Sequence, residues 1–100
     1  MTIEKTINGT ALTVAVAGRL DTTTAPELDA ALKASLDGVT DLTLDIHALE
    51  YISSAGLRVL LSSQKTMNRQ GTMRVSGANE TILDIFEVTG FSDILTLEHD

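Results

Sequence analysis

Between Val39 and Arg69 the hydrophobic period of this chain changes once, from two to about 3.6, and that change limits what it can fold into. Leu42, Leu44 and Ile46 lie on one face of a strand reading Val39 to Ile46. A long helical pattern begins at Ser54 or Ala55, carries Leu57, Leu60, Leu61, Gln64 and Met67 toward a core, and runs to about Arg69, where Gln70-Gly71 stops it. Two adjacent serines, Ser53 and Ser54, stand where the strand pattern gives way to the helix. A serine at that junction can cap the first helical turn, whose N–H groups lack intrahelical partners. The same end of the helix dipole accepts negative charge, a phosphate included. Ser54 is read as the hydroxyl that combines the two properties, a helix start and a point of attachment for a phosphoryl group.

The flanking segments extend the alternation. Ile3, Lys5 and Ile7 lead to Asn8-Gly9, and Leu12, Val14 and Val16 resume a period of two, which reads as a β-hairpin. After the polar loop 18–24, Thr24 and Glu27 have the spacing of a capping box, with Pro26 in the first turn. Leu28, Ala31, Leu32 and Leu36 then predict an amphipathic helix of about three turns, ended by Asp37-Gly38. Met73 and Val75 mark a further strand. Asn79 is placed to cap a helix bearing Ile82, Leu83, Ile85 and Phe86, with Gly90 as its stop, and Ile94, Leu95 and Leu97 close the chain as a short strand. The predicted order is β-β-α-β-α-β-α-β: a single α/β domain over residues 1–100, with a mixed, mostly parallel sheet and helices packed mainly on one face.

Composition narrows the function classes. Only 3% of residues are aromatic against 43% apolar, so the core is aliphatic. Cysteine is absent, which removes disulfides, thiolate metal sites and a cysteine nucleophile. His47 and His99 are too few and too scattered for a metal site, and no motif asks for a cofactor. The formal charge of −7 argues against nucleic acid and against anionic membrane. No apolar run approaches the ~20 residues of a membrane span, and the first residues lack a signal-peptide layout, so a cytoplasmic protein without membrane insertion is expected.

Three constellations could carry function. Arg58, Lys65 and Arg69, with Ser62 between them, fall on one stripe of the long helix: either a solvated face or a docking stripe for an acidic partner. Asp21 and Thr22 sit in the loop before the first helix, where turn chemistry is the plain reading. Asp45, His47 and Ser54 supply the residue types of a hydrolase triad, but no Gly-x-Ser-x-Gly elbow holds the serine and no Gly-x-x-x-x-Gly-Lys loop is present, so the chain is read as a non-enzyme.

Gly18-Arg19-Leu20-Asp21 ahead of the first helix, the run Ile52-Ser53-Ser54-Ala55-Gly56-Leu57-Arg58-Val59-Leu60-Leu61, and the ending Val88-Thr89-Gly90-Phe91 together resemble a STAS domain of the bacterial anti-sigma-factor antagonist type. The resemblance covers essentially the whole chain. It implies a small regulatory domain that binds an anti-sigma factor with serine kinase activity. Phosphorylation of a serine at the start of the second helix abolishes that binding, and a serine phosphatase restores it. The family motif reads Asp-Ser-Ser/Thr-Gly-Leu-Gly; alignment on Gly56-Leu57 puts Ser54 at the modified position, with Ser53 as the alternative acceptor. Ser53 replaces the aspartate, Ala55 the second hydroxyl residue and Arg58 the second glycine. By the same resemblance the partner surface takes in the loop of Asp21 and Thr22 together with Ser53, Gly56, Leu57 and Arg58; Ser62 and Lys65 extend it along the helix. Other STAS domains are never phosphorylated and serve as docking subunits of transporters, lipid-trafficking or signalling complexes, which is the alternative reading.

Overall fold

The computed structural model describes residues 1–98; His99 lies outside them. Strands β1 (Thr2–Asn8) and β2 (Ala11–Leu20) form the hairpin, in register from Thr2 opposite Ala17 to Asn8 opposite Ala11. Gly9 takes φ +64° in its turn, a conformation that suits glycine. Helix α1 (Ala25–Lys33) follows, then β3 (Asp41–Asp45), β4 (Leu49–Ile52), α2 (Ser54–Gln70), β5 (Thr72–Ser76), α3 (Glu80–Thr89), a 3-10 turn over Phe91–Asp93 and β6 (Leu97–Glu98). The sheet runs β1-β2-β3-β5-β6, with β4 paired to β2 beside this path. Only the β1–β2 pair is antiparallel among the described residues; β2–β3, β2–β4, β3–β5 and β5–β6 are parallel. This is the mixed, mostly parallel α/β domain that the hydrophobic periods predict.

The core follows from strand alternation. Leu12, Val14 and Val16 of β2, Leu42 and Leu44 of β3, and Met73 and Val75 of β5 are all buried, while their neighbours Thr13, Ala15, Thr43 and Arg74 are only half-buried. Leu28 and Leu32 of α1, Leu60 and Met67 of α2, and Ile82 and Phe86 of α3 join the same apolar cluster.

Four local expectations need correction. Strand β4 has no counterpart in the predicted order, because its four residues do not alternate: Leu49 and Ile52 are buried, Glu50 is exposed and Tyr51 lies between. Its strand character comes from pairing with the last residues of β2, beyond a register shift at Gly18, where φ is +96°. The capping box at α1 does not form. Thr24 has helical backbone angles and makes no side-chain cap, because its Oγ donates to the Arg19 carbonyl (2.8 Å) and accepts from the Asp21 N–H (2.9 Å). Helix α1 stops at Lys33, and Leu36 reaches the core through one further irregular turn, the Ser35 and Leu36 N–H groups both donating to the Leu32 carbonyl at 3.0 Å. The last strand begins only at Leu97; Ile94 follows the 3-10 turn and is exposed. The expected cap at Asn79 and stop at Gly90 are both present, with Asn79 Oδ1 accepting from the Ile82 N–H at 2.9 Å and Gly90 at φ +81°.

Candidate functional site

Parallel pairing of β2 with β4 puts Leu20 opposite Ile52, so both strands deliver their C-terminal ends to one edge of the molecule. The chain leaves β2 into the Asp21 loop and leaves β4 into α2. One hydrogen bond joins the two exits: the Ser53 N–H donates to the Leu20 carbonyl at 2.8 Å. Helix α2 comes down close on this pair. A Cβ at Gly56 would lie 2.7 Å from Leu20 Cγ and 2.8 Å from Ile52 Cγ1, closer than real side chains approach. Gly56 is therefore the contact that seats the start of α2.

Ser53, not Ser54, is the cap. Ser53 has extended backbone (φ −96°, ψ 175°) and its Oγ accepts from the Gly56 N–H, at a long 3.5 Å. Ser54 is the first residue inside the helix, so the capping duty passes to its neighbour. Its side chain is exposed and makes no hydrogen bond among the described residues. No acidic residue occupies the first turn of α2.

The Asp21 loop is organised by its own carboxylate. Asp21 Oδ1 accepts from the Thr23 N–H (3.0 Å), the Thr23 hydroxyl (2.7 Å) and the Thr24 N–H (3.2 Å). These donors, the Thr23 hydroxyl foremost, hold the carboxyl below its ordinary pKa. Thr22 is exposed at the tip of the loop. Asp21 and Thr22 thus stand beside Ser53 and Ser54 as a preformed turn.

Along α2, Arg58, Ser62, Lys65 and Arg69 are all exposed. At 100° per residue these four and Ser54 fall within an arc of roughly 80°. Gly56 and Leu57, expected at a partner surface, are both buried beneath the exposed face of α2. The helix is also rolled relative to the sequence reading. Leu61 is half-exposed, while Ser63 is buried on the same side as Gly56, where the helix meets Leu20 and Ile52. At the far end Gln70 Nε2 donates to the Leu36 and Val39 carbonyls, both at 2.6 Å, and Gly71 packs so closely on the Thr40 carbonyl that a Cβ would stand 1.9 Å from its oxygen. Nothing in the sequence pattern marks Gln70 for that role.

The residue types of a hydrolase triad are not assembled. His47 Nδ1 meets Asp45 Oδ1 at 2.5 Å, and that contact holds the Asp45 carboxyl below its ordinary pKa. Ser54 lies beyond the opposite end of β4, a strand on the order of 10 Å long. No helix among the described residues is long and apolar enough to cross a membrane.

Comparison with known proteins agrees with this fold. The family model of the STAS domain matches residues 2–100. The anti-sigma-B factor antagonist of Staphylococcus aureus (strain NCTC 8325 / PS 47) is 30% identical over 97 residues, covering 95% of this chain and 90% of that protein. The crystal structure of an anti-sigma factor antagonist from Mycobacterium paratuberculosis superposes with a TM-score of 0.87 at 25% identity, over 96% of this chain and 83% of that one. The Bacillus cell fate determinant SpoIIAA in its phosphorylated form shares the fold, with a TM-score of 0.76 at 14% identity over 97% of this chain and 91% of that one.

Proposed function

The chain belongs to the STAS domain family, and from that footing we propose that it acts as an anti-sigma-factor antagonist, switched off by phosphorylation of Ser54. The observation that carries the reading is the state of one hydroxyl. Ser54 is exposed, opens α2, and has no hydrogen-bonded duty in the fold. Ser53 is half-buried and its Oγ caps the helix, which favours Ser54 as acceptor.

In this reading the unmodified edge formed by the Asp21 loop and the start of α2 binds an anti-sigma factor that also has serine kinase activity. The domain contributes the hydroxyl; ATP, magnesium and the base that takes its proton belong to the kinase. A phosphate at Ser54 adds about −1.5 to −2 charge at a helix N-terminus, a place that tolerates anions. The fold stays intact while the bound surface changes sign and shape. Ser53 caps the helix as the family's aspartate would, but without charge, so the phosphate meets no carboxylate on its preceding neighbour. Arg58, one turn further on, is the helix's own cation for the new charge. A serine phosphatase reverses the step.

Incubating the protein with the serine kinase encoded in the same genome, together with ATP and magnesium, and mapping the product by mass spectrometry tests the proposal. Phosphate is expected on Ser54, with none taken up by Ser54→Ala. Modification at Ser53 or at another site, or no modification by a kinase that binds the domain, would overturn it.

A further inference from the structure

The basic residues of this chain divide into two groups. Four are engaged within the fold: Lys5 Nζ donates to Ser35 Oγ, Arg19 lies 4.6 Å from the centroid of the Tyr51 ring, Lys33 pairs with Asp29 at 2.9 Å, and Arg74 reaches Asp41 at 3.2 Å and Glu98 at 3.0 Å. The other three, Arg58, Lys65 and Arg69, make no hydrogen bond or ion pair among the described residues, and all three are on the exposed face of α2. The chain holds 14 carboxylate residues against seven Lys and Arg, so acids are available in excess. Yet α2 contains no Asp or Glu at all, and it carries +3 while the rest of the chain carries −10.

The spacing also runs against the helix's own stability. Lys65 and Arg69 are four residues apart, an arrangement in which like charges repel; a carboxylate at either position would have formed a favourable pair, as Asp29 and Lys33 do in α1. The three cations extend over about 16 Å of helix. Half-exposed Leu61 lies between Arg58 and Lys65 and gives the row an apolar contact.

We infer that the outer face of α2 is a docking surface for a protein partner presenting a row of carboxylates, with Leu61 as its apolar contact. This rests on the reading of α2 as the binding element and adds the chemistry of what it binds. An acidic protein surface complements the row without challenging the rest of the molecule. A nucleic acid or an anionic bilayer would bring many more charges against a body of −10. Arg58 belongs both to this row and to the turn following Ser54, so a phosphate on Ser54 competes with the partner's carboxylates for the same guanidinium.

Two measurements on the intact chain test the inference. In the first, 15N-labelled protein is titrated by NMR with an alanine-based helical peptide bearing one row of glutamates, and separately with its lysine counterpart. Amide shifts along the exposed face of α2 are expected with the glutamate peptide alone, weakening steadily between about 50 and 500 mM salt. The triple variant R58E/K65E/R69E should bind about tenfold less tightly or worse, with R58Q/K65Q/R69Q intermediate, and circular dichroism unchanged because the three side chains are exposed and make no hydrogen bond or ion pair among the described residues. Equal response to both peptides, shifts confined to another surface, or equally tight binding of a single-stranded oligonucleotide or of phosphatidylglycerol vesicles at these residues would overturn it. In the second, the anti-sigma factor encoded in the same genome replaces the peptide. Equal binding to the native chain and to R58E/K65E/R69E at every salt concentration would remove the stripe and leave the antagonist function standing. Binding to neither, with the peptide still mapped to α2, would remove that partner and leave the stripe standing.

Discussion

Helices α1 and α2 begin next to each other, linked through the Ser53–Leu20 hydrogen bond, but their first turns are built in opposite ways. The start of α1 is saturated. The Asp21 carboxylate takes two backbone N–H groups and a hydroxyl, and the Thr24 hydroxyl is held between a carbonyl and an amide. The start of α2 is sparse: one long cap from Ser53, no acidic residue, and a neighbouring hydroxyl with nothing to do. A helix start that already holds a carboxylate has little room for a second anion. One that lacks it can receive a charge without losing an existing interaction.

Changing what lies beneath the sparse start should have the largest effect. Gly56→Ala pushes a methyl group into Leu20 and Ile52, and should cost about 1–3 kcal/mol in a denaturant titration, with the amide signals of the Asp21 loop shifting as well. Native stability would mean that α2 is not seated by that contact, and the first turns of α1 and α2 would then be independent.

The saturated start is broken by acid. Because the Asp21 carboxyl is depressed in the fold, its contribution is fully present above the unfolded carboxylate pKa of about 3.9 and is lost as pH falls through the lower, folded value. Asp45, depressed by His47, acts in the same direction. Asp21→Asn keeps an acceptor for the loop, so its melting temperature should fall less than that of the native chain on acidification below about pH 4. Identical pH profiles would show that the carboxylate does not organise the turn.

The third change adds charge where the structure leaves room. Ser54→Asp should be as stable as the native chain or better by about 0.3–1 kcal/mol, since an acid in the first turn favours the dipole. The same variant should lose the anti-sigma factor in a binding titration. Loss of the fold would refute the contrast between the two helix starts.

The smallest effect separates two caps. Ser53→Ala removes an acceptor at 3.5 Å, whereas Asn79→Ala removes one at 2.9 Å at the start of α3 together with the Nδ2 bond to the Leu49 carbonyl at 3.1 Å. Thermal melts should show about 1 kcal/mol for Asn79→Ala and less than about half of that for Ser53→Ala.

Where the hydrophobic period is long, the fold was legible: β2, β3, β5 and α3 repeat their pattern enough to fix type and face, and α2 enough to fix its type and length. Strand β4 was not, because strand pairing with Arg19 and Leu20 is a tertiary fact that four residues cannot announce. The caps were half legible. Composition names Ser, Thr and Asn as candidates, but which hydroxyl caps depends on what else it can reach; the Arg19 carbonyl diverts Thr24, and the angles of Ser53 take the role from Ser54. The roll of α2 escaped the pattern for a similar reason. Counting leucines puts Leu61 inward, whereas the close approach at Gly56 turns the helix so that Ser63 is buried and Leu61 is not. The cationic stripe needed only helical spacing to be located; its want of internal partners needed coordinates.

The Gln70 bonds to the loop after α1, with Gly71 locked on Thr40, fix the tail of α2, whereas the turn ahead of the Gly56 contact has only one long cap from Ser53. Amide hydrogens should therefore exchange first around Ser54 and last toward Met67, the helix fraying from one end like a rope spliced at the other. An enzyme that grips its substrate as extended chain would find Ser54, the proposed acceptor, on the portion of α2 that unwinds most readily, and could release it to rewind against an anchor that never let go.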